Sequence, residues 1–480
     1  MTNHGRHGVD WTRGRKSALP AGVMLIAFPV LLVAHLALRE GRPAEGARLD
    51  EAPSEVLLTF TEGIDLGVSD LLLSGPMGRV ELGPLETNDT RTILRATIVG
   101  PLMAGDHTVR WQAVGRDGHP VRGEYVFTIE EGAAGLPAPV DEEPVVSGAP
   151  AVSAPTLSEL PTFDSRSPLY AGARWMTYVG IVGTTGAVGF LLLLLGLSRT
   201  APKGGANDEG IGSAAGLGLL AGLVIVVALP LRLQAQSHAL FGAGITGERF
   251  SRLLSTPWGL GWSVQAAGAV AALLGFLLAR RSPVAGIALA ALGALALSIS
   301  SGLSGHAASV DTLVVPAILS DGLHVLGAGT WIGTLFALVV VGIPMARRRP
   351  PQERGPFVFR MISAFSPIAL AAAAVVLATG LFASFLHLQA IADLWTTSYG
   401  RVLAAKLFLV LLVGAAGAYN WLRVRPRGDQ PGVDLHLRRS AGIELTAAAL
   451  VIALTSVLVA VPPPAGDVPT SAEATVNPSD

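Results

Sequence analysis

From residue 169 onward the chain is a near-continuous series of apolar runs, each about as long as a lipid bilayer is thick. A bilayer core takes roughly 20 apolar residues per helix. Backbone inside lipid must satisfy its own hydrogen bonds, which restricts spanning structure to helices or closed barrels. Runs of this length predict helices near 169–197, 211–233, 260–279, 283–303, 322–346, 362–385, 402–422 and 441–461, eight in all. Residues 310–319 read as a short interfacial helix ahead of the fifth span. Half of the 480 residues are hydrophobic and 14% are charged, as in a polytopic membrane protein rather than a soluble enzyme. The net charge of −1 leaves no basic footprint for nucleic acid. The chain contains no cysteine, so disulfides, thiolate metal sites and cysteine nucleophiles are excluded. No phosphate-binding glycine loop is present, and ATP-driven pumping has no support. The 10 histidines are the remaining metal ligands of note.

The other end of the chain has a different composition. An apolar run, 19–34, follows Arg13, Arg15 and Lys16, the layout of a secretory signal. Cleavage after Ala34 exposes His35 with two nitrogen ligands, its amine and its imidazole. Leu32 occupies the −3 position, where a small residue is preferred; retention of the segment as an anchor leaves His35 only its imidazole. Residues 39–130 read as β. Short strands are predicted at 56–60, 71–73, 79–82 and 92–99, with a turn at Gly75-Pro76-Met77-Gly78. Alternation puts Val109, Trp111 and Ala113 on one face of 107–114, and Tyr125, Phe127 and Ile129 on one face of 124–129. Many short strands with turns between them predict a sandwich or barrel. Residues 132–168, rich in Pro, Ala, Ser and Glu, read as a linker. The expected organisation is a signal-like segment at 1–34, a β domain at 35–131, the linker, a membrane domain at 169–462 and a tail at 463–480.

Basic residues set the expected orientation. Arg199 and Lys203 follow the first span, Arg280 and Arg281 the third, Arg347, Arg348 and Arg349 the fifth, and Arg423, Arg425 and Arg427 the seventh. The other loops are poor in Lys and Arg, with Arg249 and Arg252 as the main exceptions. The odd-numbered spans then end in the cytoplasm, and the β domain and C-terminal tail of this multi-pass inner-membrane protein face outward.

That topology places His238 after the second span, His306 after the fourth, His324 in the first turn of the fifth and His387 at the end of the sixth, all near the outer face. Asp321 and His324 are three apart and share a helix face. An ionisable residue in a span is a candidate functional site. Asp117-Gly118-His119 adds a carboxylate and an imidazole in the β domain; with His35 they form an N/O donor set suited to Cu(II). His107 opens a strand and reads as structural. Ser298, Ser300, Ser301 and Ser304 with Gly302 and Gly305 read either as a close-packing surface or as a polar lining, as do Trp331 and Gly333. Trp395 and Tyr399 read as aromatic-belt anchors.

These residues resemble a known family. His35-Leu36-Ala37-Leu38, then 43–49, Ala52-Pro53 and 56–60 resemble the start of mature CopC-type copper-binding proteins. Trp111, Asp117-Gly118-His119-Pro120-Val121 and Gly123 resemble the later part of that domain. Gly305-His306-Ala307, His324 through Trp331-Ile332-Gly333, Thr397-Ser398-Tyr399-Gly400-Arg401 with Lys406, and Arg438-Arg439 with Glu444, Thr455 and Pro462-Pro463 resemble CopD, its membrane partner. The resemblance implies a mixed fold: an all-β, cupredoxin- or Ig-like CopC-type sandwich followed by an α-helical membrane domain of about eight spans. It implies a Cu(II) site of His35, Asp117 and His119 completed by the mature amine, and no catalytic activity. Copper captured outside then passes inward by way of His306, His324, His238, His387 and Asp321, in an oxidation state the sequence does not specify. The expected partners are the copper ion and the bilayer, with any outer copper donor or reductase unidentified. Two alternatives stand beside this: a tethered copper store serving resistance without transport, and a membrane oxidoreductase with histidine-ligated haem.

Overall fold

The computed structural model describes residues 36–132, 146–147, 168–198, 206–308, 313–388, 390–419 and 433–458. The signal-like segment, His35, nearly all of the linker and the tail lie outside the described residues, as do the side chains of His306, His387 and His436.

Alternating apolar residues build the β domain. One sheet runs β1 (Leu38–Arg42), β3 (Glu55–Phe60), β7 (Ile93–Thr97), β6 (Glu86–Thr87), β10 (Val146–Ser147) in spatial order. The other runs β2 (Arg48–Leu49), β9 (Pro120–Ile129), β8 (Gly105–Val114), β4 (Asp70–Gly75), β5 (Gly78–Val80). Val56, Leu58 and Phe60 of the first sheet meet Val109, Trp111, Tyr125 and Phe127 of the second in one buried core. The Phe60 and Trp111 rings join the two sheets edge to face, with centroids 5.2 Å apart. The expected strands and their inward faces are all present. Burying one such side chain contributes about 1.5–3 kcal/mol, so this cluster stabilises the sandwich. His107 is structural as expected: 1% exposed, stacked on Phe127, its Nδ1 3.1 Å from Gly105 O. In the linker, β10 pairs antiparallel with β6, so two residues read as linker add an edge strand.

Asp70 is less comfortable. One carboxylate oxygen accepts from Leu71 N–H at 2.9 Å, and the other is buried without a hydrogen-bond partner. Burial pushes its carboxyl above the ordinary value of 3.8, against the lowering pull of the Leu71 amide and of Arg79 and Arg252. A raised folded-state value means that folding favours the protonated acid. Its stabilising contribution is complete below 3.8 and is lost as pH rises through the folded value. Asp70→Asn is therefore expected to raise the thermal midpoint at neutral pH, with the gain vanishing in strong acid. Melts at the two pH values check this; an equal gain at both contradicts it.

The helical domain contains α1 (Pro168–Ser198), α2 (Ala206–Phe241), α3 (Gly247–Leu254), α4 (Pro257–Ala279), α5 (Pro283–Leu303), α6 (Val314–Arg347), α7 (Pro351–His387), α8 (Asp393–Thr396), α9 (Ser398–Tyr419) and α10 (Val433–Leu458). Seven helices among the described residues are long and apolar enough to cross a bilayer, and α10 adds a shorter apolar stretch, Gly442–Leu458, where the eighth span was expected. α1 packs against α2, α5, α6 and α10. It meets α6 so closely that a Cβ on Gly333 would lie 2.1 Å from Val182 O, which assigns Gly333 to close packing. α6 carries two π-helical segments, Gly329–Gly333 and Leu338–Gly342. Pro344, which has no N–H to donate, follows the second.

Four expectations change. Residues 314–319 belong to α6 itself and do not form a separate interfacial helix. Pro316 sits in the first turn, where a missing N–H is tolerated. His324 consequently lies not in the first turn but about 15 Å along the helix, at 1.5 Å per residue from Val314. His238 lies within the last turn of α2, not beyond it. Tyr399 is 7% exposed and packs with Leu403 and Leu458, whereas Trp395 is exposed as a belt residue should be.

Candidate metal centre

The β8–β9 connection carries the carboxylate and imidazole that the sequence singled out. Gly118 N–H donates to Gly115 O at 2.9 Å, and Gly115 N–H to His119 O at 3.2 Å, closing a tight turn. Gly118 adopts φ +79°, a left-handed conformation that favours glycine. Asp117 Oδ1 accepts from His119 N–H at 3.1 Å, and Asp117 Oδ2 lies 2.9 Å from His119 Nδ1. The first interaction fixes the backbone of the turn, and the second sets the carboxylate beside the ring. Leu36, which follows His35 in the chain, is buried; its side chain would lie 3.8 Å from a Cβ built on Gly115, at the base of this turn. Among the described residues no three His, Asp or Glu side chains converge on one point.

The turn abuts the helical domain. Gln236 of α2 donates from Nε2 to Gly118 O at 2.6 Å. A Cβ on Gly118 would lie 3.0 Å from both the Gln236 amide and the Trp258 ring of α4. Around this point, Gln112 Nε2 donates to Leu240 O at 3.2 Å and Arg122 Nη2 to Ala239 O at 2.6 Å. Burial lowers the proton affinity of Arg122, yet a guanidinium remains charged in proteins. Val68 and Val114 pack with Leu233, Leu240, Leu253 and Trp258 in a buried cluster. Arg252 of α3 donates to Gly67 O at 2.8 Å, and Arg249 to Gly244 O at 2.6 Å. The two arginines that broke the loop-charge pattern thus serve contacts on the β-domain side of the helices. α2 runs for 36 residues, about 54 Å, well beyond a bilayer core of roughly 30 Å, and its far end is the part that meets the β domain.

The membrane residues form separate contacts. His324 Nδ1 lies 3.0 Å from Thr379 Oγ1, and the ring stands against Gly380 of α7. Ser301 of α5 donates to Asp321 Oδ2 at 2.9 Å. The neighbouring serines turn back onto their own helix: Ser298 to Ala294 O, Ser300 to Leu297 O and Ser304 to Ser300 O. Gly302 approaches the Ile318 backbone, so this end of α5 combines close packing with one polar contact to Asp321. His238 Nε2 is 3.0 Å from Gln234 Nε2. Sequence reasoning did not single out Gln112, Arg122, Gln236 or Trp258; a polar glutamine within an apolar span was the available signal.

Three family models match the chain in order: CopC domain at 38–130, Copper resistance protein D-like, N-terminal domain at 164–316, and Copper resistance protein D at 359–458. The Copper transport protein CutJ of Bacillus subtilis is 27% identical over 413 residues, covering 84% of this chain and 70% of that protein. Protein YobA of Escherichia coli K12 is 31% identical over 99 residues, covering 20% of this chain and 80% of its own length. The crystal structure of PcoC from Escherichia coli covers 20% of this chain and all of that one at 26% identity, with a TM-score of 0.19. The chain belongs to the CopC–CopD family of copper resistance and transport proteins, a CopC domain fused to a CopD-type membrane domain.

Proposed function

We propose that the β domain captures Cu(II) outside the cell and hands it to the membrane domain for passage inward. His119, Asp117 and His35 are the proposed ligands, with the His35 amine as a fourth donor where the signal is cleaved after Ala34. Such an N/O set suits tetragonal Cu(II). Asp117 can both orient His119 and bind metal, because a carboxylate offers about four lone-pair sites. The observation that carries the reading is the bond from Gln236 Nε2 to Gly118 O, since it seats the proposed copper loop on the helical domain. His324 and Asp321 within α6, together with His238, His306 and His387, are the proposed onward path. The names of the relatives, a copper transport protein among them, support a copper cargo.

Accumulation of labelled copper by cells with and without the protein tests the direction. Import predicts several-fold higher uptake with it. Equal accumulation together with improved copper tolerance favours a tethered store and sinks the import reading.

A further inference from the structure

Helix α2 ends at Phe241, and the carbonyls of its last turn, 238–241, have no partner within the helix. Gly242, at φ +64°, answers the first of them: its N–H donates to His238 O at 2.9 Å. The next two are answered by the β domain. Arg122 Nη2 donates to Ala239 O at 2.6 Å, and Gln112 Nε2 to Leu240 O at 3.2 Å. Ala239 and Leu240 are buried, where an unpaired carbonyl is costly. Gln112 and Arg122 stand opposite each other on β8 and β9, and Arg122 Nε donates to Gln112 Oε1 at 2.8 Å. A guanidinium only donates, so that bond turns the amide oxygen toward Arg122 and leaves Nε2 for the helix end. Arg252 of α3 stands 5.2 Å from the Phe241 ring, so two cations gather at the negative end of the α2 dipole. Pro230 interrupts the helix hydrogen bonding about three turns earlier. The stretch beyond it is gripped from the β domain at two points, Gln236 with Gly118 and Ala239 with Arg122.

We propose that Arg122 is a positioning residue for copper transfer: it caps α2 from the β domain and so fixes Gln236, the seat of the copper turn. Gln236 and Ala239 are three apart on one helix face, and Arg122 follows His119 by three residues at the start of β9. Fraying of the last turn of α2 would therefore loosen the bond that holds the copper turn in place. The role in transfer rests on the proposed delivery to the helices; the cap itself is a property of the copper-free protein.

Hydrogen exchange of the full-length, copper-free protein in detergent reads the cap. Arg122→Gln is expected to speed exchange in the peptide 236–242 about tenfold, with α2 before Pro230 and the sandwich core unchanged. Arg122→Lys, which keeps a cation at the helix end, is expected to recover most of the protection. In sealed vesicles, Arg122→Gln should bind the wild-type amount of Cu(II) per chain yet accumulate labelled copper several-fold more slowly, with Arg122→Lys between. Loss of Cu(II) binding with faster exchange throughout the sandwich marks a merely structural role and overturns the proposal. Wild-type exchange at 236–242 in Arg122→Gln, or wild-type accumulation by a variant frayed there, overturns it as well. If Arg122→Gln does not fold, Gln112→Met, which removes the Leu240 O contact at similar volume, is expected to fray the same peptide, and wild-type exchange there is the contrary result. Absence of accumulation in the wild type too would sink the delivery reading, and the transfer role with it, while the exchange result stands on its own.

Discussion

His119→Ala is expected to lower the affinity of the full-length protein for Cu(II) on the order of 100-fold. Losing a partner that only orients a ligand costs roughly 10–100-fold, and losing the ligand itself should lie at or beyond the top of that range. The geometry explains the size of the effect. Asp117 accepts from the His119 main-chain N–H at 3.1 Å and its carboxylate lies 2.9 Å from His119 Nδ1, so the turn keeps carboxylate and imidazole together before the metal arrives. Asp117→Asn is expected to cost less, because the amide oxygen can still accept from the His119 main-chain N–H while offering no negative charge. Copper titration against a competing chelator checks both. Unchanged affinity in His119→Ala places the copper elsewhere.

His324→Ala is expected to abolish copper accumulation while leaving Cu(II) binding by the β domain intact. His324 lies about 15 Å along α6, against Thr379 and Gly380 of α7, and an ionisable side chain within a span is a candidate functional site. The variant also tests packing. If Thr379→Val, which removes the 3.0 Å partner of His324 Nδ1, reduces uptake only partly, the imidazole itself carries the function. Wild-type uptake in His324→Ala contradicts that role. Purified His324→Ala should still bind copper at the β domain and show the same absorption spectrum, without a Soret band, as the wild type.

Much of this was legible in the sequence for identifiable reasons. The β sandwich follows from period-two alternation, because Val109, Trp111 and Ala113 must face one way and do. The spans follow from length and apolarity, and α5 begins and ends where its apolar run does. The start of α6 was misplaced because Pro316 and Asp321 interrupt the apolar pattern, and a proline in the first turn of a helix interrupts nothing structurally. Asp117 and His119 were visible as neighbours two residues apart. The docking surface was not visible. It is built from a glycine carbonyl, Gln236 and two helix-end carbonyls, with partners more than 100 positions apart in the chain. Hydrophobic periodicity carries no information about such contacts.

The account stands on direct delivery from the loop to the helices beneath it, and Gly118→Val addresses that step alone. A side chain there is strained at φ +79°, by about 1–2 kcal/mol, and its Cβ meets Gln236 and Trp258 at 3.0 Å. It should push the loop off the helices while leaving Asp117 and His119 in place. The measurement is copper bound per chain and labelled-copper accumulation in the same sealed vesicles, for wild type and Gly118→Val. The account predicts wild-type Cu(II) stoichiometry with accumulation reduced at least tenfold. Accumulation at the wild-type rate by a variant shown to be undocked would contradict it.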